Sequence, residues 1–387
     1  MADTKIIHAA LFTPGVGGNW GLPIRIIGKP GTAKSSLIVK TAEAAGLTPI
    51  VVIASLRDPT DFLGIMIPQE DGTIRYAPPP WALEANNAEH SVVNFDEISS
   101  APPSVQAVLH RVILERVVGD YQLKKTVRFI GAMNAAEDAS GAYDFSAALA
   151  NRFGELGDWQ GPSVDEWCAW LSSAGSDEAK VVSVRADVEE ARVMQAWPVA
   201  YAMAAGLAIS FIKSRPNLLH AQPPSGSPAA SGAWPSRRTW EMATRAIASS
   251  KIHDLSEMEF DRFVGSFIGG AAMAELRAWL MNMDLPDPSE LLDGQATFQH
   301  NKDRLDRTLA VFASCVALVS PSGAEKRAER AGVLWKMLRD NLDVADIIYP
   351  AVTALSRAEV KLVAGYPEAR AVLAKFYPIM KMAGLTS

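Results

Sequence analysis

The chain is poor in cysteine, in long apolar runs and in excess positive charge. Its 387 residues include two cysteines, Cys168 and Cys315, which lack metal-ligand spacing and which we expect to be buried free thiols of a reducing compartment. Lysine and arginine total 37 against 43 acidic residues, and the net charge of −6 argues against a duplex DNA-binding protein. No apolar run reaches ~18 residues, and no secretory leader is recognisable. We therefore expect a cytoplasmic protein without membrane insertion.

What the sequence does contain is a glycine-rich loop between an apolar run and a helical pattern. The loop comprises Gly28, Lys29, Pro30, Gly31, Thr32, Ala33, Lys34, Ser35 and the adjoining Ser36. Such a loop wraps backbone N–H groups around a triphosphate at the positive end of a helix. Lys34 is placed to reach the outer phosphates, and the Ser35 hydroxyl can bind Mg²⁺. Ala33 stands where the pattern usually has glycine, and we expect it to suit the first turn of the helix. The segment predicts a nucleotide-binding protein.

Short apolar runs alternate with helical patterns over the first 160 residues, which predicts a parallel sheet covered by helices. The predicted strands are residues 24–28, 50–55, 92–96, 127–132 and 155–159. Two further segments, 64–80 and 117–123, are predicted to form hairpins. Beyond about residue 162 the patterns are helical. The predicted fold class is therefore α/β, with a five-stranded parallel sheet followed by helical regions.

Polar side chains follow two of the predicted strands. Asp96 and Glu97 end the third strand, and Asn134 ends the fourth. Because ligands bind at the carboxyl ends of parallel strands, Asp96 is predicted to hold Mg²⁺ and Glu97 to polarise the attacking water. The Asn134 amide can orient that water or contact the γ-phosphate. Arg152 precedes the fifth strand, and its guanidinium suits the spread charge of a phosphoryl-transfer transition state. Together these residues predict nucleotide hydrolysis.

The combined pattern resembles the MoxR-like group of AAA+ ATPases over residues 15–285, most strongly over 24–153. The loop GKPGTAKS is similar to that group's variant. The stretch DEISSAPPSVQAVLHRVILERVVG at 96–119 and the segment at 57–64 are similar to the group's as well. The resemblance implies an αβα ATPase core at residues 1–160 and a helical lid at 161–290. The helical patterns of residues 291–387 predict a C-terminal helical bundle.

The resemblance also implies roles for single residues. Asn134 occupies the sensor-1 position, and Arg152, within ALANRF, occupies the arginine-finger position. The sensor-2 arginine would be Arg237 or Arg238, of which Arg238 is favoured. The sequence departs from the group at Ser99 and Ser100, at Asn151, where the group often has aspartate, and over the last 100 or so residues. The first two departures are expected to leave hydrolysis intact and to change how neighbouring subunits touch, whereas the third leaves the partner-binding region unidentified.

By resemblance, the protein binds ATP with Mg²⁺ and forms a closed ring, expected to be hexameric, that remodels, activates or assembles a protein partner. Arg152 would reach the nucleotide of the next subunit, and Arg238 of the lid would also be drawn onto the phosphates. A partner carrying a von Willebrand factor A domain is expected. The two hairpins would face the ring's centre, where Tyr76, Trp81 and Tyr121 either contact the client or pack under the hairpins.

Two other functions remain open at this point. A nucleic-acid-linked AAA+ motor would show DNA-stimulated, salt-dependent activity, and the acidic balance argues against it. A nucleotide-gated structural subunit would bind ATP and assemble with little hydrolysis. Glu97 argues against that alternative, because a scaffold has no need of a general base.

Overall fold

The chain folds as two units in the computed structural model, which describes residues 2–134, 143, 145–165, 167–168, 184–224, 226–281, 286–301, 304–320, 326–357 and 367–382. The first unit comprises Met1–Gln195 with Leu219–Met273, and the second Ala196–Leu218 with Ala274–Ser387. Every candidate site residue named above belongs to the first unit.

A sheet of five parallel strands forms the centre of the first unit. The strands of the described residues are β1 (Ile24–Gly28), β2 (Thr48–Ile53), β3 (Ile65–Pro68), β4 (Ile74–Ala77), β5 (Ser91–Asp96), β6 (Val117–Val118), β7 (Tyr121–Gln122), β8 (Val127–Met133) and β9 (Gly154–Trp159). The sheet order is β2-β5-β8-β1-β9, and all four pairings are parallel. Its strands start and end within two residues of the predicted ones, so the predicted fold class is confirmed. The order brings the carboxyl ends of β1, β5 and β8 to one edge.

Helices cover this sheet. Those of the first unit are α1 (Ala2–Leu11), α2 (Lys34–Ala44), α3 (Thr60–Leu63), α4 (Pro80–Asn87), α5 (Pro103–Glu115), α6 (Ala147–Ala150), the first part of α7 (Ala186–Ser214), α8 (Arg237–Ile252), α9 (Glu257–Ile268) and the start of α10 (Gly270–Met281). Helix α5 is amphipathic, and its residues Val105, Leu109 and Val112 are buried. A capping box at Ser236 fixes the start of α8, as expected for a serine before a helical pattern.

Both predicted hairpins are present. Strands β3 and β4 pair antiparallel around the turn at Asp71 and Gly72, and β6 pairs with β7. All of β3 is exposed. The side chain of Trp81 is buried instead, packs edge-on against Phe95 and donates its indole N–H to the carbonyl of Asp61 at 2.8 Å. Of the two roles left open for Trp81, the structure shows packing in the core rather than an exposed position for client contact.

The second unit is helical in its described residues. It contains the remainder of α7 and α10, followed by α11 (Pro288–Leu292), α12 (Leu305–Val319), α13 (Arg327–Asp340), α14 (Ala345–Arg357) and α15 (Pro367–Met382). Phe312 and Trp335 lie fully buried in its core. Cys315 is buried there too, and that burial raises the pKa of its thiol to about 12. Cys168 is exposed, so the prediction that both thiols are buried is wrong for this residue.

Among the described residues, no single helix combines the length and the apolar composition needed to cross a membrane. The segments Ala186–Pro198 and Met203–Ser214 of α7 reach that length and composition only when taken together across a bend of 51°.

Candidate active site

The glycine-rich loop joins the carboxyl end of β1 to α2 and is fastened to the neighbouring strand. A Cβ atom at Gly28 would lie 2.4 Å from the carbonyl oxygen of Trp159, so only glycine fits where β9 comes this close. The indole N–H of Trp159 donates to the carbonyl of Thr32 at 2.7 Å. These contacts with β9 shape the loop.

Ala33 does not lie in the first turn of the helix. It precedes α2 as the N-cap residue, with φ 61° and ψ 31°, in the left-handed region. This conformation costs an alanine about 1–2 kcal/mol, whereas glycine adopts it freely. The expectation that alanine is tolerated for its helix propensity is therefore wrong in its reason, since Ala33 is held in a strained conformation that the loop imposes.

Lys34 is buried and positioned by three acceptors. Its side chain is 8% exposed, and its ammonium donates to the carbonyls of Gly28 at 2.9 Å and Lys29 at 2.8 Å. The third acceptor is the Asn134 Oδ1 atom, at 2.9 Å. The sequence-predicted sensor-1 residue is thus in direct contact with the lysine of the loop. This geometry holds the positive charge at the mouth of the loop, where phosphates would arrive.

The acidic pair after β5 contacts hydroxyl groups on two sides. The Ser35 hydroxyl donates to Asp96 Oδ2, so the two predicted Mg²⁺ ligands already lie side by side. A hydroxyl and a carboxylate are hard oxygen donors that fit Mg²⁺. The Ser55 hydroxyl, just beyond β2, donates to Glu97 Oε2 at 2.5 Å. Glu97 itself has φ 52°, an uncommon conformation of the kind that occurs at functional sites. We call Lys34, Ser35, Asp96, Glu97 and Asn134 the loop cluster.

The two predicted arginines meet in a second group. Arg238 is exposed near the start of α8, and its guanidinium lies 3.4 Å from Asn151 Oδ1, next to Arg152. His110 of α5 faces both arginines: its pKa is lowered by burial and then by the charges of Arg152 and Arg238. The pKa of Arg152 is lowered too, first by burial and then by Arg238. We call His110, Arg152 and Arg238 the arginine cluster.

Charge in the arginine cluster is not neutralised by the described residues. Among them, neither Arg152 nor Arg238 forms an ion pair with a carboxylate. The Arg152 Nε atom is buried without a hydrogen-bond partner. Asn151 bonds to Ser236, and because it is not the aspartate frequent at this position, it adds no negative charge. Arg237 and Arg238 are both exposed, but it is Arg238 that lies against Asn151 and whose charge acts on Arg152.

Several residues here were not found by sequence reasoning. Ser55 and Trp159 lie where β2 and β9 end, a position that could have marked them as site residues. His110 had no such signal, because only the folded chain brings α5 against the start of α8.

Two histidines with no paired spacing also meet in the fold. His8 and His253 lie 3.4 Å and 3.6 Å from Glu189 Oε1, within the range of a metal-binding group. Arg192, however, donates to both carboxylate oxygens of Glu189, at 2.7 and 2.8 Å. Its guanidinium also lies 3.3 Å from His253 Nδ1. The arginine therefore supplies the positive charge that a metal would bring, and we assign the group a structural role.

Comparison with known proteins agrees with this geometry. Residues 23–153 match the family described as "AAA domain (dynein-related subfamily)". A solved structure described as a "putative ATPase" from Cytophaga hutchinsonii ATCC 33406 shares 15% identity with a TM-score of 0.49, covering 73% of this chain and 89% of that one; at this level the likeness carries no argument. No curated protein matches the chain. The phosphate loop and the acidic pair both lie within residues 23–153, the part of the chain that is similar to this AAA family.

Proposed function

We propose that this chain hydrolyses ATP in the cytoplasm to remodel, activate or assemble a protein partner. The nucleotide site of one subunit is completed by arginines of the next subunit, within a closed ring that we expect to be hexameric. The similarity of residues 23–153 to an AAA domain supports nucleotide binding and ATPase chemistry in general. The proposal extends it to the roles of this chain's own residues.

Five side chains of one subunit carry the chemistry. Lys34 and the backbone N–H groups of the loop hold the outer phosphates. Ser35 and Asp96 would hold Mg²⁺, which supplies neutralising charge at the phosphate oxygens. Asn134 orients a water molecule, and Glu97 accepts its proton as the water oxygen attacks the γ-phosphorus. The bond from that phosphorus to the ADP oxygen breaks, which leaves ADP and phosphate.

The observation that carries the shared site is the unneutralised charge of the arginine cluster. Burial disfavours the positive charge of Arg152, and repulsion from the neighbouring guanidinium of Arg238 disfavours it further. An anion that binds beside the two arginines therefore stabilises the cluster. Among the described residues, neither Arg152 nor Arg238 is hydrogen-bonded to a member of the loop cluster of the same chain. A triphosphate bound to a second copy supplies the missing negative charge, and the arginines in turn stabilise its transition state.

The first hairpin supports a protein client. Ile65, Met66, Ile67 and Ile74 are all exposed, on strands with no partner beyond each other among the described residues. Exposed apolar side chains grouped this way are typical of an interaction surface. Two parts of the proposal rest on the family resemblance: that the partner carries a von Willebrand factor A domain, and that the ring has six subunits.

One observation favours the alternative of a nucleotide-gated scaffold with slow hydrolysis. The Glu97 carboxylate, which should accept a proton from water, instead accepts a hydrogen bond from Ser55. A base held in this way works slowly until the bond is released. We therefore expect low basal turnover from the chain alone.

Mixing two inactive variants tests the shared site. The Glu97→Gln variant retains Arg152 but lacks the base, and Arg152→Ala retains the base but lacks the arginine. In a mixed ring, about a quarter of the interfaces pair an intact base with an intact arginine, so turnover should recover to as much as ~25% of the unmodified rate. The measurement is steady-state phosphate release against mixing ratio.

The matched control mixes Glu97→Gln with the double variant Glu97→Gln/Arg152→Ala, which has no intact base in any subunit and should stay inactive. A site completed within one chain predicts no recovery in either mixture, and that result would overturn the proposal.

A further inference from the structure

A small apolar cavity opens beside the arginine cluster. Its volume is about 280 Å³, and Arg152 and Arg238 are part of its lining. The apolar side chains of the lining include Val16, Leu22, Ile113, Leu114 and Met242. Val16 and Leu114 are themselves exposed, so apolar surface continues from the cavity to the outside of the protein.

The cavity suits a side chain rather than a cofactor. Sites for small molecules usually have ~300–1,000 Å³ and several convergent polar groups. Here, the guanidinium of Arg116 donates a hydrogen bond to the carbonyl of Trp20. The guanidinium of Arg245 donates to the Glu241 carboxylate and to the carbonyl of Pro14. What remains is an apolar recess with the two unneutralised arginines at its edge.

The opposite feature lies beside the loop cluster. Val51 and Ile53 of the edge strand β2 are exposed, and Leu56 just after it is 77% exposed. Leu56 directly follows Ser55, the residue hydrogen-bonded to the Glu97 carboxylate. The projecting Leu56 side chain therefore lies beside the acidic pair, whereas the apolar cavity lies beside the arginine cluster.

We infer that Leu56 of one subunit inserts into the cavity of the next, formed by Val16, Leu114 and Met242. The inference rests on the proposed shared site and names the contact that aligns it. Charge complementarity determines which surfaces meet, because the unneutralised Arg152 and Arg238 of one subunit would face the triphosphate and acidic pair of the other. The cavity adjoins the two arginines, and Leu56 adjoins the acidic pair, so the same arrangement brings Leu56 to the cavity. The occupant is a second copy of this chain, arranged head to tail.

Cysteine cross-linking tests the contact. In the full chain with Cys168→Ser and Glu97→Gln, the substitutions Leu56→Cys and Leu114→Cys are expected to give an ATP-dependent ladder of disulfide-linked oligomers under mild oxidation. Both positions are exposed, so the substitutions should not disturb folding. The matched control combines Leu114→Cys with Met258→Cys, an exposed position on α9, and should give no ladder.

A second measurement separates this inference from the proposed function. Leu56→Ala should weaken ATP-dependent assembly ~10- to 100-fold, the effect of removing one buried leucine, while Met258→Ala should not change it. If the unmodified chain assembles with ATP but Leu56→Ala assembles equally well and no ladder forms, the contact is wrong and the shared site stands. If the unmodified chain does not assemble and the mixed variants do not recover, the shared site fails, and the contact with it.

Discussion

Two polar clusters of the first unit differ in how completely they are paired. In the loop cluster, the Lys34 ammonium donates to three acceptors, and Asp96 and Glu97 each accept a hydrogen bond from a hydroxyl group. In the arginine cluster, Arg152 and Arg238 sit together without a carboxylate among the described residues. One cluster is complete in the isolated chain, whereas the other is not.

The difference indicates which half of the chemistry a single chain can perform. The members of the loop cluster hold one another in place by hydrogen bonds. Nucleotide binds when its phosphates replace some of these hydrogen-bond partners. Repulsion between like charges makes the arginine cluster favour any state that brings an anion to it. Assembly around ATP is such a state, so binding and assembly should respond to different substitutions.

The largest effect is expected from Lys34→Ala. Removing the buried ammonium should raise the dissociation constant for ATP at least ~100-fold and abolish turnover, because Lys29, the other lysine of the loop, is exposed and does not replace this buried charge. Isothermal titration with ATP and Mg²⁺ measures the affinity. Lys40→Ala, an exposed lysine on α2, is the control and should bind normally. Tight binding by the Lys34 variant would contradict the loop assignment.

The arginine cluster should respond in the opposite way. Arg238→Ala is expected to lower turnover by ~10³ without changing ATP affinity, because its guanidinium acts on the transition state in another subunit. Arg237→Ala, the neighbouring exposed arginine, should have little effect. Phosphate release and ATP affinity are measured for both variants. Equal losses in the two variants would remove the distinction between these arginines.

Glu97→Gln separates binding from chemistry within the loop cluster. The amide cannot accept the proton of the attacking water, so turnover should fall by at least ~10². ATP binding and ATP-dependent assembly should persist, as measured by titration and light scattering. Unchanged turnover would exclude Glu97 as the general base.

A smaller change of opposite sign is expected from Ser55→Ala. Loss of the hydroxyl frees the Glu97 carboxylate from one hydrogen bond, which should raise basal turnover by up to about tenfold. In the Glu97→Gln background the same substitution should have no effect, since no base is present to release. Slower turnover in the single variant would mean that Ser55 positions Glu97 for the reaction.

The smallest effect is a pKa change at His110. The charge of Arg152 is one cause of its lowered pKa, so Arg152→Ala should raise the pKa of His110, though burial still holds it below its ordinary value. NMR titration of the histidine side chains measures the shift. Assembly with ATP should also raise it, because the arriving phosphate offsets the arginines. No response to either change would mean that His110 does not sense the cluster.

Local patterns were enough to predict much of the fold and the loop cluster. The five core strands, the loop and the acidic pair after β5 each depend on residues close in sequence, where strand and helix patterns act. Carboxyl ends of parallel strands converge by topology alone, so the loop cluster followed from the strands. The predicted AAA+ resemblance was confirmed over residues 23–153.

Contacts between distant segments could not be predicted. Arg152 and Arg238 are 86 positions apart, and their proximity depends on how α8 packs near α6, which no local pattern reports. The same holds for His8 and His253. At Ala33 the local rule was misleading, because the backbone of the loop overrides helix propensity. The exposure of Cys168 likewise depends on packing rather than on its neighbours in sequence.

The bond from Trp159 to the loop has a practical consequence for anyone studying this protein in solution. The Trp159 indole donates its N–H to the Thr32 carbonyl, so its fluorescence emission should change when that carbonyl moves. The protein therefore carries its own fluorophore at the phosphate loop. The chain has ten tryptophans, and subtracting the spectrum of Trp159→Phe isolates this one. Nucleotide entry and departure can thus be timed by stopped-flow without attaching a dye.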